Sequence, residues 1–356
     1  MLHWHGARGS YTSGGGSFGC ERVLSALDGY RQYQVFSAAP PRGGGGTMGC
    51  MDLRHRSWTL DGGLGTLLEA RGHDLSDALW SARLLVDQPA AVQAAHQEFF
   101  DAGAQIAITA SYQVGFEAFE RIGFTASDTE RLLRSSVDLA RRARDTRTDP
   151  DDEGRLLVAA SVGPYGATLG DGSEYRGDSG LTRAELRRWH ERRLTVLADA
   201  GPDLLALETI PSLDEATALA ELVRGSGVPA WLSFTVAGGR LRSGEPMEEG
   251  FRLVEGVDEF QAVGVNCSHP DEVLPAIRTA RSVTDRAIVV YPNSGERWDA
   301  ETRVWRGRAG VGDVDAWLEA GANVVGGCCR ILPDDIAVIR GRVDAFEPGV
   351  DAAGPG

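Results

Sequence analysis

From Ser57 onward, short apolar or β-branched runs alternate with stretches of helical periodicity. The runs are Trp58-Thr59-Leu60, then 104–110, 156–162, 203–207, 230–235, 262–266, 287–291 and 323–325. Most are continuously apolar rather than alternating, which is the pattern of strands buried on both faces of a parallel sheet. The stretches between them carry helix signals. Thr182-Arg183-Ala184-Glu185 has capping-box spacing and is followed by Leu186, Trp189, His190, Leu194 and Leu197 on one face. Ser212-Leu213-Asp214-Glu215 repeats the signature, and Gly103, Gly201 and Gly321 each stand where a helix stops before the next strand. Eight βα units over about 290 residues predict an α/β fold, a parallel eight-stranded (β/α)8 TIM barrel. A doubly wound open sheet is the alternative, because strand count alone does not establish closure.

Residues 1–56 break this pattern. Ser13-Gly14-Gly15-Gly16, Pro40-Pro41 and 43–46 give glycine-rich chain that costs much backbone entropy to order and buries little in return. A disordered N-terminal extension is expected, with Met48 and Met51 as later candidate starts. The barrel is expected over 57–345, followed by a short tail over 346–356.

The 356 residues are 42% hydrophobic and carry a formal net charge of -15, which speaks against a nucleic-acid partner because phosphate binding needs clustered Lys and Arg. No apolar run reaches membrane-span length and no signal-peptide core opens the chain, so a cytoplasmic protein is expected. The five cysteines do not suggest a disulfide framework; in a reducing compartment, clustered thiols read as metal ligands or reactive groups.

Three cysteines stand directly after candidate strands, in Gly264-Val265-Asn266-Cys267 and Gly326-Gly327-Cys328-Cys329. These are the sixth and eighth strands, whose ends share the C-terminal face of a closed barrel, where active sites of this fold are built. Three thiolates suit Zn2+ and leave its fourth tetrahedral position open. A metal so rich in negative ligands is a weak Lewis acid, poorly suited to making hydroxide but able to bind a substrate thiol, remove its proton and keep the sulfur nucleophilic. The chemistry expected is alkyl transfer to sulfur. Ligation by adjacent cysteines requires an irregular turn, which Gly326-Gly327 permits.

Other strand ends carry polar residues. Asp61-Gly62-Gly63 follows the first strand, Ser111 and Gln113 the second, and Glu208 the fourth; Ser233 lies in the fifth, and Asn266 precedes Cys267. A carboxylate such as Glu208 on the catalytic face suits the ammonium of an amino-acid substrate. Its alternative role is a favourable charge at a helix N-terminus.

Several segments together resemble the homocysteine S-methyltransferase family, in particular its S-methylmethionine branch. They are Leu60-Asp61-Gly62-Gly63, 77–82, 107–113, Val162-Gly163-Pro164-Tyr165-Gly166, 171–177, Leu207-Glu208-Thr209, 290–296 and the two cysteine motifs. The resemblance implies one zinc per chain held by Cys267, Cys328 and Cys329. It places homocysteine's amino-acid end against Glu208 and the backbone of Asp61–Gly63, with Ser111, Gln113, Ser233 and Asn266 completing the expected substrate-binding set. It implies S-methylmethionine or S-adenosylmethionine as donor, with 171–177 covering it, and methionine as product. Alternatives are selenocysteine as acceptor, betaine as donor, and a non-catalytic zinc-thiolate binding protein. A zinc hydrolase is disfavoured by the lack of a His-rich ligand set. No oligomeric state is read from the sequence.

Overall fold

The structure, a computed structural model, describes residues 52–75, 81–147, 156–299, 304–307 and 309–346. The expected extension lies outside the described residues apart from 52–56, as do the tail beyond Phe346 and most of the 77–82 segment.

Every apolar run read as a strand forms one. The barrel strands are β1 (Trp58–Thr59), β2 (Ile106–Ile108), β3 (Leu157–Val162), β4 (Leu204–Ile210), β5 (Ala230–Phe234), β6 (Phe260–Asn266), β7 (Ala287–Tyr291) and β8 (Val324–Val325). All neighbouring pairs from β2 to β8 are parallel, and β8 pairs with β1. A parallel bridge between Leu60 and Ile106 joins β1 to β2 and closes the ring, so the barrel rather than the open sheet is the fold.

The helices outside it are α1 (Leu64–Ala70), α2 (Ser81–Asp87), α3 (Pro89–Asp101), α4 (Phe116–Glu120), α5 (Ala126–Asp145) and α6 (Arg183–Asp199). They continue as α7 (Leu213–Val223), α8 (Met247–Arg252), α9 (Val273–Arg281), α10 (Val314–Glu319) and α11 (Pro333–Phe346). None of the described helices is long and apolar enough to cross a membrane.

Strand periodicity divides the core in two. Val158, Ala160, Val162, Leu205, Leu207, Val263, Val265, Ile288 and Val290 point outward into the helix-covered layer. Leu157, Ala159, Leu204, Ala206, Trp231, Ala262, Ala287, Val289 and Val324 point inward and fill the barrel. Each Val, Leu or Ile among them contributes about 1.5–3 kcal/mol by leaving water, and each Ala less. The inward rows become polar toward the C-terminal end, in Ser161, Glu208, Ser233 and Asn266. Leu53 is also fully buried in the inner cluster, and the Arg54 carbonyl accepts from Asn323 Nδ2 at 3.4 Å, just before β8. The packed chain therefore begins on the extension side of residue 57, at the barrel's N-terminal end.

Two features differ from the sequence expectation. Short antiparallel hairpins follow β5 (Val236–Ala237 with Arg240–Leu241) and β7 (Arg297–Asp299 with Val304–Arg306); strands of two or three residues are too short for a periodicity to register. The Thr182 capping box forms in full. At Ser212 only half of one does: its side chain accepts from Glu215 N, but the Glu215 carboxylate turns instead to His190 and to the backbone N–H of Tyr165.

Candidate active site

The inward polar row converges on a cavity of about 320 Å³ at the C-terminal mouth, within the usual size of a small-molecule site. Cys267, Cys328 and Cys329 share its wall, with their sulfur atoms all within 4.8 Å of one another. Cys267 is 6% exposed, while the adjacent pair is partly exposed. The Cys267 and Cys328 sulfurs meet across a separation of 61 residues, with the Cα atoms of the two residues 5.6 Å apart. Closure of the barrel brings the two sulfurs together from the sixth and eighth strands.

The loop after β7 laces the two cysteine motifs together. Cys267 N donates to Tyr291 O at 3.3 Å and Cys328 N to Pro292 O at 2.8 Å. Cys329 N donates to Asn293 Oδ1 at 3.1 Å, while Asn293 N donates to Ser268 O at 3.0 Å. Tyr291-Pro292-Asn293, within the 290–296 segment that carried the resemblance, is thus the spacer that sets the cysteines' separation. Gly326 and Gly327 serve the irregular turn expected of them: a Cβ at Gly327 would stand against the Ile331 side chain, and one at Gly326 would lie 2.8 Å from the Asp61 carbonyl.

Among the described residues, the non-glycine positions with positive φ are Thr209 (59°), Cys267 (47°) and Arg330 (66°), each in or beside a motif at the mouth. Such a conformation costs about 1–3 kcal/mol and persists only where its surroundings hold it. Asn266 holds Thr209: its Oδ1 accepts from Thr209 N at 2.7 Å and Ser233 Oγ at 2.7 Å, and its Nδ2 donates to Thr209 Oγ1 at 2.7 Å. Ser268 holds the turn at Cys267, donating to Asn266 O at 2.9 Å and accepting from Val236 N at 2.9 Å.

Glu208 lines the cavity where β4 shifts register against β5. Its carboxylate accepts from Ser161 Oγ and, at 3.1 Å, from the Tyr291 hydroxyl, which itself accepts from Trp231 Nε1 at 3.1 Å. Burial pushes the Glu208 carboxyl up to about 7 despite these donors. Burial likewise raises Asp61 well above the carboxylate range, although Ile108 N donates to its Oδ2 at 2.8 Å. Burial, with Glu174 nearby, pushes the Cys329 thiol up to about 11.

Of the expected residues, Gly62, Gly63, Gln113, Glu208 and the three cysteines line the cavity. Asp61, Ser111, Ser233 and Asn266 stand behind the lining. Ser111 Oγ donates to Ser161 O at 2.8 Å, tying β2 to β3, and Gln113 Nε2 donates to Ala167 O at 3.3 Å. The backbone N–H groups of Asp61 and Gly63 go to Ile106 O and Ile331 O. Gly63 provides clearance, since a Cβ there would lie 2.6 Å from Cys328 O.

Tyr112, Glu174, Tyr175 and Tyr291 also line the cavity; Glu174 and Tyr175 belong to the segment 171–177 expected over the donor, while Tyr112 and Tyr291 were not singled out. Arg193 supports the wall from behind, donating to Gly163 O at 2.7 Å, Ser111 O at 2.8 Å and Tyr112 O at 2.6 Å. Its signal was in the sequence: Arg193 falls at helical spacing on the apolar face of Leu186, Trp189, His190 and Leu197, where an unpaired charge would be costly.

A sequence profile described as homocysteine S-methyltransferase matches residues 58–343. Homocysteine S-methyltransferase 4 of Zea mays is 45% identical over 306 residues, covering 81% of this chain and 90% of that protein. A selenocysteine methyltransferase of Astragalus bisulcatus is 42% identical, covering 79% and 90%. The crystal structure of the Escherichia coli homocysteine methyltransferase MmuM in a metallated form superposes with a TM-score of 0.73 at 40% identity, covering 81% of this chain and 97% of that one. Its oxidized form gives the same TM-score and identity over 80% and 96%. With the match running from the first barrel strand into the last helix, the chain belongs to the homocysteine S-methyltransferase family of enzymes.

Proposed function

We propose that this protein transfers a methyl group from a sulfonium donor, S-methylmethionine or S-adenosylmethionine, to the thiol of homocysteine, giving methionine. The observation that carries this reading is the convergence of three cysteine sulfurs within 4.8 Å on a cavity that also holds the buried carboxylate of Glu208. The donor set fits a metal: three sulfurs from two strand ends, two of them partly exposed to the cavity, leave a fourth position for a substrate. Zinc held by Cys267, Cys328 and Cys329 would supply a site that binds a substrate thiol, lowers its pKa and leaves the sulfur nucleophilic. Cys267 and Cys328 serve as ligands only when reduced, so the working form is the dithiol of a reducing cytoplasm.

The chain's own residues bind and orient. Glu208 receives the homocysteine ammonium, and pairing with that charge brings its carboxyl back down from about 7 toward the ionised form. Ser161 and Tyr291 fix the carboxylate's direction, and Asn266 and Ser233 fix the strand end that carries it. Gly62 and Gly63 keep the wall beside the cysteine pair clear. Tyr112 and Tyr175 add aromatic wall, and the segment 171–177 forms the donor's side of the cavity. The donor's S–CH3 bond breaks as the methyl bonds to homocysteine sulfur, discharging the sulfonium, so no general acid is required. A second reading, selenocysteine as acceptor, is favoured by the likeness to the Astragalus enzyme.

The test is methionine formation by the reduced, zinc-loaded protein from homocysteine, with S-methylmethionine, S-adenosylmethionine and betaine supplied separately. Turnover with a sulfonium donor, stopped by chelation and restored by zinc, is expected; selenocysteine in competition ranks the acceptors. Turnover only with betaine, or at full rate after chelation, would overturn the proposal.

A further inference from the structure

The chain between β3 and α6 enters the mouth as two short 3-10 turns, Tyr165–Leu169 and Ser173–Tyr175. The second is fixed from below. Asp171 accepts from Ser173 N at 3.0 Å and pairs with Arg176 at 3.2 Å. A Cβ at Gly166 would lie 2.6 Å from Glu174 N, so the two turns are in backbone contact. This clamp directs Glu174 and Tyr175 into the cavity that holds the cysteines.

Glu174 differs there from Glu208. The Glu208 oxygens each accept from a protein hydroxyl, whereas Glu174 Oε2 is buried and has no hydrogen-bond partner. Arg176 is committed to Asp171 and Ser173, and among the described residues no Arg side chain lines the cavity. Among the described lining residues the carboxylates are Glu174 and Glu208 alone, and they enter from separate elements. A buried carboxylate oxygen without a partner is costly unless a cation arrives to meet it. Of the two substrates, homocysteine brings one ammonium balanced by its own carboxylate. A sulfonium amino acid brings a net charge of +1.

We infer that Glu174 recognises the positive charge of the methyl donor, leaving Glu208 to the acceptor. The inference rests on the sulfonium-donor reading above and gives that reading a specificity-determining residue. Because the attraction weakens as the sulfonium is discharged, it favours the bound donor more than the transition state, so its loss raises KM without lowering kcat.

The experiment pairs steady-state kinetics with direct binding for wild type, Glu174→Gln and Glu174→Asp. With homocysteine saturating, Glu174→Gln raises the KM for S-methylmethionine about tenfold or more, while kcat and the homocysteine KM stay within about twofold; Glu174→Asp recovers part of the loss. Calorimetric titration of S-methylmethionine into protein without homocysteine shows the same weakening. An unchanged donor KM and Kd in Glu174→Gln would overturn the inference. So would a parallel loss toward both substrates with a fall in kcat, which would mark a structural role. Wild-type protein that binds S-methylmethionine in a Glu174-dependent way without turning it over would sustain the inference and sink the proposed reaction.

Discussion

At the scale of single residues, the site uses groups that oppose stability, and Glu208 shows it most directly. Its carboxyl ordinarily releases its proton near 4.5 and is raised by burial to about 7 in the folded chain. Between those values the folded protein holds a proton the unfolded chain has lost. The contribution of Glu208 therefore favours folding fully below about pH 4.5, declines as pH rises, and is gone above about 7. Glu208→Gln removes this dependence. The stability of the variant relative to wild type, read from urea unfolding, is expected to climb between pH 4.5 and 7 and then level off, while its homocysteine KM rises about tenfold or more. A pH-independent stability difference would show that Glu208 does not titrate in this window. Glu208 was legible as a carboxylate at a strand end. Its hydroxyl partners were not, because Ser161 and Tyr291 lie on two other strands, and Trp231, which donates to Tyr291, lies on a third.

At the scale of elements, local signals did well wherever the chain satisfied its own hydrogen bonds. Thr182 accepts from Glu185 N, and the Glu185 carboxylate accepts in return from Thr182 N at 2.8 Å, a reciprocal closure that needs nothing beyond four residues. Thr182→Ala is expected to cost about 1 kcal/mol in denaturant unfolding with kinetic constants unchanged, since the cap is exposed and distant in role from the cavity. A loss above about 3 kcal/mol would mean that the start of α6 carries more than a cap. The same signature at Ser212 is only half realised. Glu215 is fully buried and 2.8 Å from His190 Nε2, and a buried tertiary partner outweighs a local one that water could replace. The hairpins after β5 and β7 escaped a periodic reading for a related reason: antiparallel pairing of neighbouring segments makes them, not the character of two or three side chains.

At the scale of the whole molecule, the two ends of the barrel divide the work. The C-terminal mouth holds strained turns, a carboxylate oxygen without a partner and the cysteines, while the interior below is packed with Leu, Ala, Val and Trp. Leu53 belongs to that packing although it lies beyond the expected barrel boundary. Leu53→Ala is expected to lower unfolding free energy by about 2–5 kcal/mol, with KM and kcat near wild type at temperatures where the variant is folded. A stable variant with impaired kinetics would contradict the division between a packed end and a reactive end.

The sequence by itself determined the eight strands, because continuous apolar runs need burial on both faces. It also determined the cysteine motifs, because their chemistry is written in residue identity, and the family, because the motifs keep their order and spacing from end to end. Tertiary structure alone decided closure through the Leu60–Ile106 bridge and the approach of Cys267 to Cys328. It also decided which polar residues face the cavity and which brace it from behind. Asn266 and Glu208 look alike in sequence, each a polar residue at a strand end; Asn266 spends its side chain on Thr209 and Ser233, and Glu208 faces the cavity. The difference is one of direction in space, set by neighbours far apart in the chain, and no local pattern of side chains carries it.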